Sequence, residues 1–184
     1  MRVNIVYASQ YVPPADLDSD LLKSIGSTWG SWRTWRDCLT DNVICNDLGH
    51  ARELLKRNLQ TSCNLYVAEK FYAKLGRPSG LNYYQGNFEG DALDIEDVIA
   101  MHLVSTNCDL VLLLGFNLAN PGTSSDRLVL RQMKNRFGLL RSCIAQNTDV
   151  QWVLVDHTNA PDKAFSDLIN LTCDTRENVL KLLV

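Results

Sequence analysis

Cys108-Asp109-Leu110-Val111-Leu112-Leu113-Leu114-Gly115 is the stretch on which the fold turns. A short unbroken apolar run that stops at glycine suits a strand buried on both faces, as in a parallel sheet covered by helices. Upstream, Asp94-Ile95-Glu96-Asp97 opens a helix, with Asp94 as its cap and the acids at the positive end of its dipole. Ile95, Val98, Ile99 and His102 then recur at helical spacing, which places His102 on the apolar side as a core histidine. Downstream, the loop Pro121-Gly122-Thr123-Ser124-Ser125-Asp126 leads into a helix ending near Ala145, with Val129, Met133, Phe137, Leu140 and Ile144 as its apolar stripe.

The same alternation extends in both directions. Residues 150–155 form another buried-strand run ending at Asp156-His157, residues 169–173 a last short strand, and Thr175 begins a terminal helix. Toward the N-terminus, residues 3–8, 42–45 and 65–68 read as strands. A helix over 48–58 separates the last two, with Leu48, Ala51, Leu54 and Leu55 inward. Residues 76–90, rich in Gly, Asn and Tyr, take no assignment. With no repeat or linker, the expectation is one α/β domain over 1–184: a Rossmann-like three-layer sandwich with a mainly parallel sheet.

Composition narrows the class. At 46% hydrophobic and 21% charged residues the chain is neither disordered nor low-complexity. Eighteen basic against 21 acidic side chains, a formal charge of −3, exclude a polycation built for nonspecific nucleic-acid binding. No run approaches the ~20 apolar residues of a membrane helix, and Met1 to Pro14 does not read as a signal peptide. Cysteines 38, 45, 63, 108, 143 and 173 stand singly, without CxxC or a nearby His at zinc spacing, so neither disulfides nor a metal site are expected. The acids at 16, 18 and 20, and those from 89 to 97, lack EF-hand spacing. Asn170-Leu171-Thr172 matches a glycosylation sequon that has no meaning without export. The expected location is cytoplasmic.

Parallel strands send their following loops and helix N-termini to one edge, where ligands bind. The residues leaving the proposed strands are Ser9-Gln10, Asn46-Asp47, Glu69, Gly115-Phe116-Asn117, Asp156-His157 and Asp174. Asp156 and His157 are the candidate catalytic pair, a carboxylate and an imidazole able to do acid–base chemistry near neutral pH. The alternative is that Asp156 orders its loop and His157 is merely exposed. His50, in the first turn of its helix, fits either a site or a surface role.

Gly26-Ser27-Thr28-Trp29-Gly30-Ser31-Trp32-Arg33-Thr34-Trp35-Arg36 holds three of the chain's four tryptophans. Hydroxyls and arginine bind phosphate or carboxylate oxygens, and indole faces stack on bases or cations. The candidate ligand set is Ser9, Ser27, Thr28, Trp29, Trp32, Arg33, Arg36, Asp47 and Asn117. Neither a Walker loop nor GxGxxG is present. The competing reading makes the block an aromatic cluster sealing a sheet face or a dimer contact. Arg127, Arg131, Lys134 and Arg141 line the polar side of their helix, either a solvated face or a contact for an acidic partner; without aromatics, nucleic acid is disfavoured.

Val3 to Ser9, Gly26 to Arg36 and Asp109 to Asn117 together resemble small α/β proteins of tailed bacteriophages that have no assigned activity. The resemblance implies expression in the cytoplasm of an infected bacterium. At fold level the alternation is also similar to Rossmann-like families that bind or cleave nucleotides, including the lysine-decarboxylase-like group. Of that group's PGGxGT-type signature only a fragment, Pro121-Gly122-Thr123, is present. The leading expectation is a module binding a nucleotide or nucleotide-derived ligand, with Asp47 and Asp156 on ribose hydroxyls; no cofactor is identified. The alternatives are a hydrolase or transferase acting on a glycosidic or phosphate bond at the same edge, with Asp47, Glu69 or Asp156 as nucleophile or base and His157 as acid, or a host-interaction protein. A homo-oligomer is compatible with each.

Overall fold

The computed structural model of the chain describes residues 1–14, 18–38, 40–86, 88, 92, 94–119, 124–156 and 161–183. Its strands are β1 (Val3–Tyr7), β2 (Ser27–Ser31), β3 (Asn42–Cys45), β4 (Asn64–Ala68), β5 (Leu81–Tyr84), β6 (Leu110–Leu114), β7 (Gln151–Val155) and β8 (Leu171–Asp174). They form one sheet in the order β5-β4-β3-β2-β1-β6-β7-β8, and every neighbouring pair is parallel. The helices are α1 (Ser19–Ile25), α2 (Trp32–Cys38), α3 (Leu48–Lys56), α4 (Glu69–Lys74), α5 (Ile95–Ser105), α6 (Arg127–Gln146) and α7 (Arg176–Leu183). The expected α/β sandwich is therefore what the chain forms.

The chain winds outward from β1 to β5, then returns across the sheet through α5 to place β6 against the free side of β1. Right-handed crossovers put helices on opposite faces when the winding direction reverses. Alternate strand residues accordingly feed two apolar layers. Ile5, Tyr7, Leu112 and Leu114 face Leu22 of α1 and Val179 of α7, while Val43, Cys45, Leu65 and Val67 face Ala51 and Leu54 of α3. Val6, Ile44, Val111, Leu113, Trp152 and Leu154 point the other way, onto Ile99 and Met101 of α5 and Leu140 and Ile144 of α6. Each fully buried leucine here is worth about 1.5–3 kcal/mol of transfer free energy.

Two strands fall where the sequence pattern does not show them. β2 reads Ser-Thr-Trp-Gly-Ser, yet Thr28 and Ser31 are buried between β1 and β3. Their hydroxyls are satisfied locally: Thr28 Oγ1 donates to Asp41 Oδ2 at 2.7 Å, and Ser31 Oγ lies 3.2 Å from Thr34 Oγ1. Gly30 leaves room for α2, since a Cβ there would sit 3.2 Å from Thr34 Cβ and 3.3 Å from Thr40 Cγ2. β5, inside the unassigned segment 76–90, is a short edge strand anchored by buried Leu81 and Tyr84.

Three helix expectations are corrected. His102 is exposed rather than core, with its ring edge-on to Phe88, because the buried face of α5 runs through Val98, Ile99 and Met101 instead. Asp94 adopts a left-handed backbone (φ 51) and does not cap α5; its carboxylate is used by other elements. The stripe of α6 is buried only from Leu140 onward, and Val129 is exposed because the first turns of α6 extend away from the core. Among the described residues no helix is long and apolar enough to cross a membrane.

Candidate functional site

β1 and β6 are neighbours, but α1 follows one face and α6 the other, so their carboxyl ends diverge into a crevice. This is the topological switch point at which open parallel sheets bind ligands. The crevice holds a cavity of about 200 Å³ floored by Ala8 and Gly115, with Gln10, Asn117, Asp94 and Asp97 on its polar side and Met133, Arg136 and Phe137 of α6 closing it. Gly115 is required here: its φ is +73°, and a Cβ would collide with the Tyr11 ring.

The acids opening α5 tie the segment after β1 to α2 and α6. Asp97, with its side chain 1% exposed, accepts from Ser9 N (2.7 Å), Ser9 Oγ (2.6 Å) and Arg136 Nη2 (2.6 Å). It thereby joins the end of β1 to α6. Burial pushes the Asp97 carboxyl above the usual carboxylate range, and the Arg136 guanidinium is the main influence opposing that rise. Arg136 also sits over the Phe116 ring at 5.9 Å, and its buried Nε has no hydrogen-bond partner among the described residues. Asp94 accepts from Gln10 Nε2 at 2.9 Å and lies 3.5 Å from Arg33 Nη1. Glu96 is raised by burial too, with Asp97 adding to the rise while backbone N–H groups of Glu96 and Asn46 hold it down. At the end of β3, Tyr84 Oη donates to Asn46 Oδ1 at 2.6 Å, and burial pushes the Cys45 thiol up to about 12.

A second cavity, of about 310 Å³, adjoins the first through Gln10, which lines both. Its walls are Ser9, Tyr11 and Val12 after β1, and Trp32, Arg33 and Arg36 at the start of α2. Trp32 stacks on His50 with ring centroids 4.3 Å apart, and Arg33 approaches the indole at 5.6 Å. The two cavities differ in character: carboxylates, amides and the Asp97-paired Arg136 line one, Arg33, Arg36 and an indole the other.

Of the residues singled out from sequence, Ser9, Trp32, Arg33, Arg36 and Asn117 come together around these cavities. Ser27 and Thr28 lie at the opposite, amino-terminal rim, where Asn42 Nδ2 donates to Ser27 Oγ at 2.7 Å and Asp41 accepts from Thr28. Trp29 packs within the sheet under α5, its ring 5.3 Å from Tyr66 and its Nε1 donating to Asn4 Oδ1 at 3.2 Å. Asp47 lies at the carboxyl end of β3 but caps α3, accepting from His50 N at 2.7 Å. Asp156, at φ 49, accepts from Arg176 N at 2.8 Å and pairs with the Arg176 side chain. His157 and Pro121-Gly122-Thr123 lie outside the described residues.

Asp94, Asp97 and Arg136 are site residues that sequence reasoning did not select, and Gln10 was placed at this edge without being named a ligand residue. A signal was present for Asp97. It shares a helical face with Met101 and Val104, both buried, and a carboxylate on an apolar face needs a cationic or donor partner. Arg136 beside the apolar positions Met133 and Phe137 is the matching cue on α6. Among the described residues, no three His, Cys, Asp or Glu side chains gather as metal ligands. No protein-family model, curated protein or solved structure matches the chain.

Proposed function

We propose that the chain is a Rossmann-like small-molecule module that binds a nucleotide or nucleotide-derived ligand in the crevice between β1 and β6. The observation that carries this reading is the pair of joined cavities at the switch point. One offers arginines and an indole to an anion and a flat ring; the other offers Asp94, Gln10 and Asn117 to hydroxyls. Together they fall in the size range of small-molecule sites, ~300–1,000 Å³. Asp47 and Asp156 are engaged in capping and loop bonds, which favours binding at this edge over bond cleavage by those rim carboxylates. The free thiols of Cys45, Cys63, Cys108, Cys143 and Cys173 fit a reducing cytoplasm. The phage-protein resemblance of residues 3–9, 26–36 and 109–117 supports that of an infected bacterium.

Thermal shift against a panel of nucleosides and nucleotides tests the reading. A ligand at ~100 times its Kd adds about 2.7 kcal/mol, which for this length raises Tm by roughly 5–10 °C. Arg33→Ala should lose most of that shift. No stabilisation by any member of the panel, with Arg33→Ala indistinguishable from the parent, removes the proposal.

A further inference from the structure

Arg33 and Asp94 stand where the two cavities meet. Arg33 belongs to the basic lobe and is 55% exposed, Asp94 to the acidic lobe and only 8% exposed, and their 3.5 Å contact together with Gln10 forms the partition. The two partners differ in what they lose when the contact breaks. When the contact opens, the half-exposed Arg33 guanidinium recovers water or takes an anion that offers short, bidentate hydrogen bonds, so the cost of opening falls on the Asp94 side. Asp94 has little access to water, so once Arg33 turns away Gln10 Nε2 remains its one described protein donor. An enclosed carboxylate stripped of its cation is costly unless a new donor arrives.

We infer that the site selects one molecule carrying both groups, a nucleoside 5′-phosphate whose phosphate takes Arg33 while its ribose hydroxyl donates to Asp94. The inference rests on the nucleotide reading above and makes it narrower. Inorganic phosphate engages Arg33 but strands Asp94. A nucleoside reaches Asp94 but leaves Arg33 paired as before and gains no charge-assisted contact. Only the joined ligand exchanges the Arg33–Asp94 contact for two better ones, so the two halves bind with positive coupling. Asn117 and Gln10, amides on the same wall, complete the hydroxyl side.

Isothermal titration with the common ribonucleoside 5′-monophosphates, their nucleosides and inorganic phosphate reads this directly. Wild-type protein should bind its preferred monophosphate about 10–100-fold more tightly than the matching nucleoside, the range expected for hydrogen bonds to a charged group. Asp94→Asn keeps a residue that tolerates the left-handed backbone and removes the stranded charge, so inorganic phosphate should bind it several-fold more tightly than wild type. That gain should vanish in Arg33→Ala/Asp94→Asn, which separates the specific exchange from a general change in charge. Equal affinity of wild type for nucleoside and monophosphate overturns the inference while leaving nucleotide binding intact. So does an Asp94→Asn phosphate affinity equal to wild type, or a gain that persists without Arg33. If no nucleoside or nucleotide binds at all, the nucleotide reading and this inference fall together.

Discussion

Replacing Arg136 with methionine removes the guanidinium that compensates Asp97 while keeping a side chain of similar length and an apolar body. Asp97 is buried and accepts three hydrogen bonds, two from Ser9 and one from Arg136. Breaking a buried pair from one side leaves a charge without a partner, at a cost of about 3–5 kcal/mol. For a chain of 184 residues that lowers Tm by roughly 6–20 °C, at ~2–4 °C per kcal/mol. Asp97→Asn in the same background removes the stranded charge and retains an acceptor for Ser9, so the double variant should recover most of the loss. Burial already holds the Asp97 carboxyl above its ordinary range. Between the unfolded and the raised folded value the native state holds more protons, so stability falls as pH rises through that window. Without Arg136 the carboxyl rises further, and the penalty should shrink as the pH is lowered. Denaturant melts of the four proteins across pH measure this as a double-mutant cycle. A loss below about 1 kcal/mol in Arg136→Met, or simple additivity with Asp97→Asn, refutes the claim that this pair fastens α6 to the end of β1.

Gly115→Ala should cost about 2–5 kcal/mol in denaturant unfolding, from the left-handed backbone and the collision with Tyr11. Tyr11→Ala in the same chain should return part of it, and a neutral Gly115→Ala would remove the steric argument. Glu96→Gln should stabilise the protein at neutral and higher pH, with the gain fading as pH falls from the raised native value toward the ordinary carboxyl value and absent below it. Glu96 is raised mainly by burial, so its unfavourable contribution builds as pH rises from the unfolded to the raised native value and is full above both; a gain that grows in acid contradicts this. Native alkylation followed by peptide mass spectrometry should label exposed Cys173 well before Cys45 and Cys143, whose thiols burial pushes up to about 12. Early labelling of either buried thiol would show the local packing to be looser than described.

The stretch 108–115 and the apolar runs at 3–8, 42–45, 65–68 and 150–155 each became a parallel strand, because a segment covered on both faces must be apolar throughout and so announces itself. β2 was hidden for the opposite reason. Its neighbours and Asp41 satisfy its backbone and hydroxyls, so Ser27-Thr28-Trp29-Gly30-Ser31 has no need of an apolar pattern. That single strand redistributes the tryptophan block. Trp29 is drawn into the sheet, while Trp32, Arg33 and Arg36 are delivered to the carboxyl edge at the start of α2.

Local periodicity was enough to determine the alternation through β1, β3, β4 and β6 to β8, and with it the edge at which loops gather. The order β5-β4-β3-β2-β1-β6-β7-β8 was not determined locally. It depends on which strand accepts β6 after the long return through α5, and hydrogen bonding between strands is blind to their separation in sequence. That choice alone sets β1 beside β6 and brings Ser9, Gln10, Asp94, Asp97, Asn117 and Arg136 to one crevice. Residues so far apart in the chain share no spacing, and their common role exists only once the sheet has closed around it.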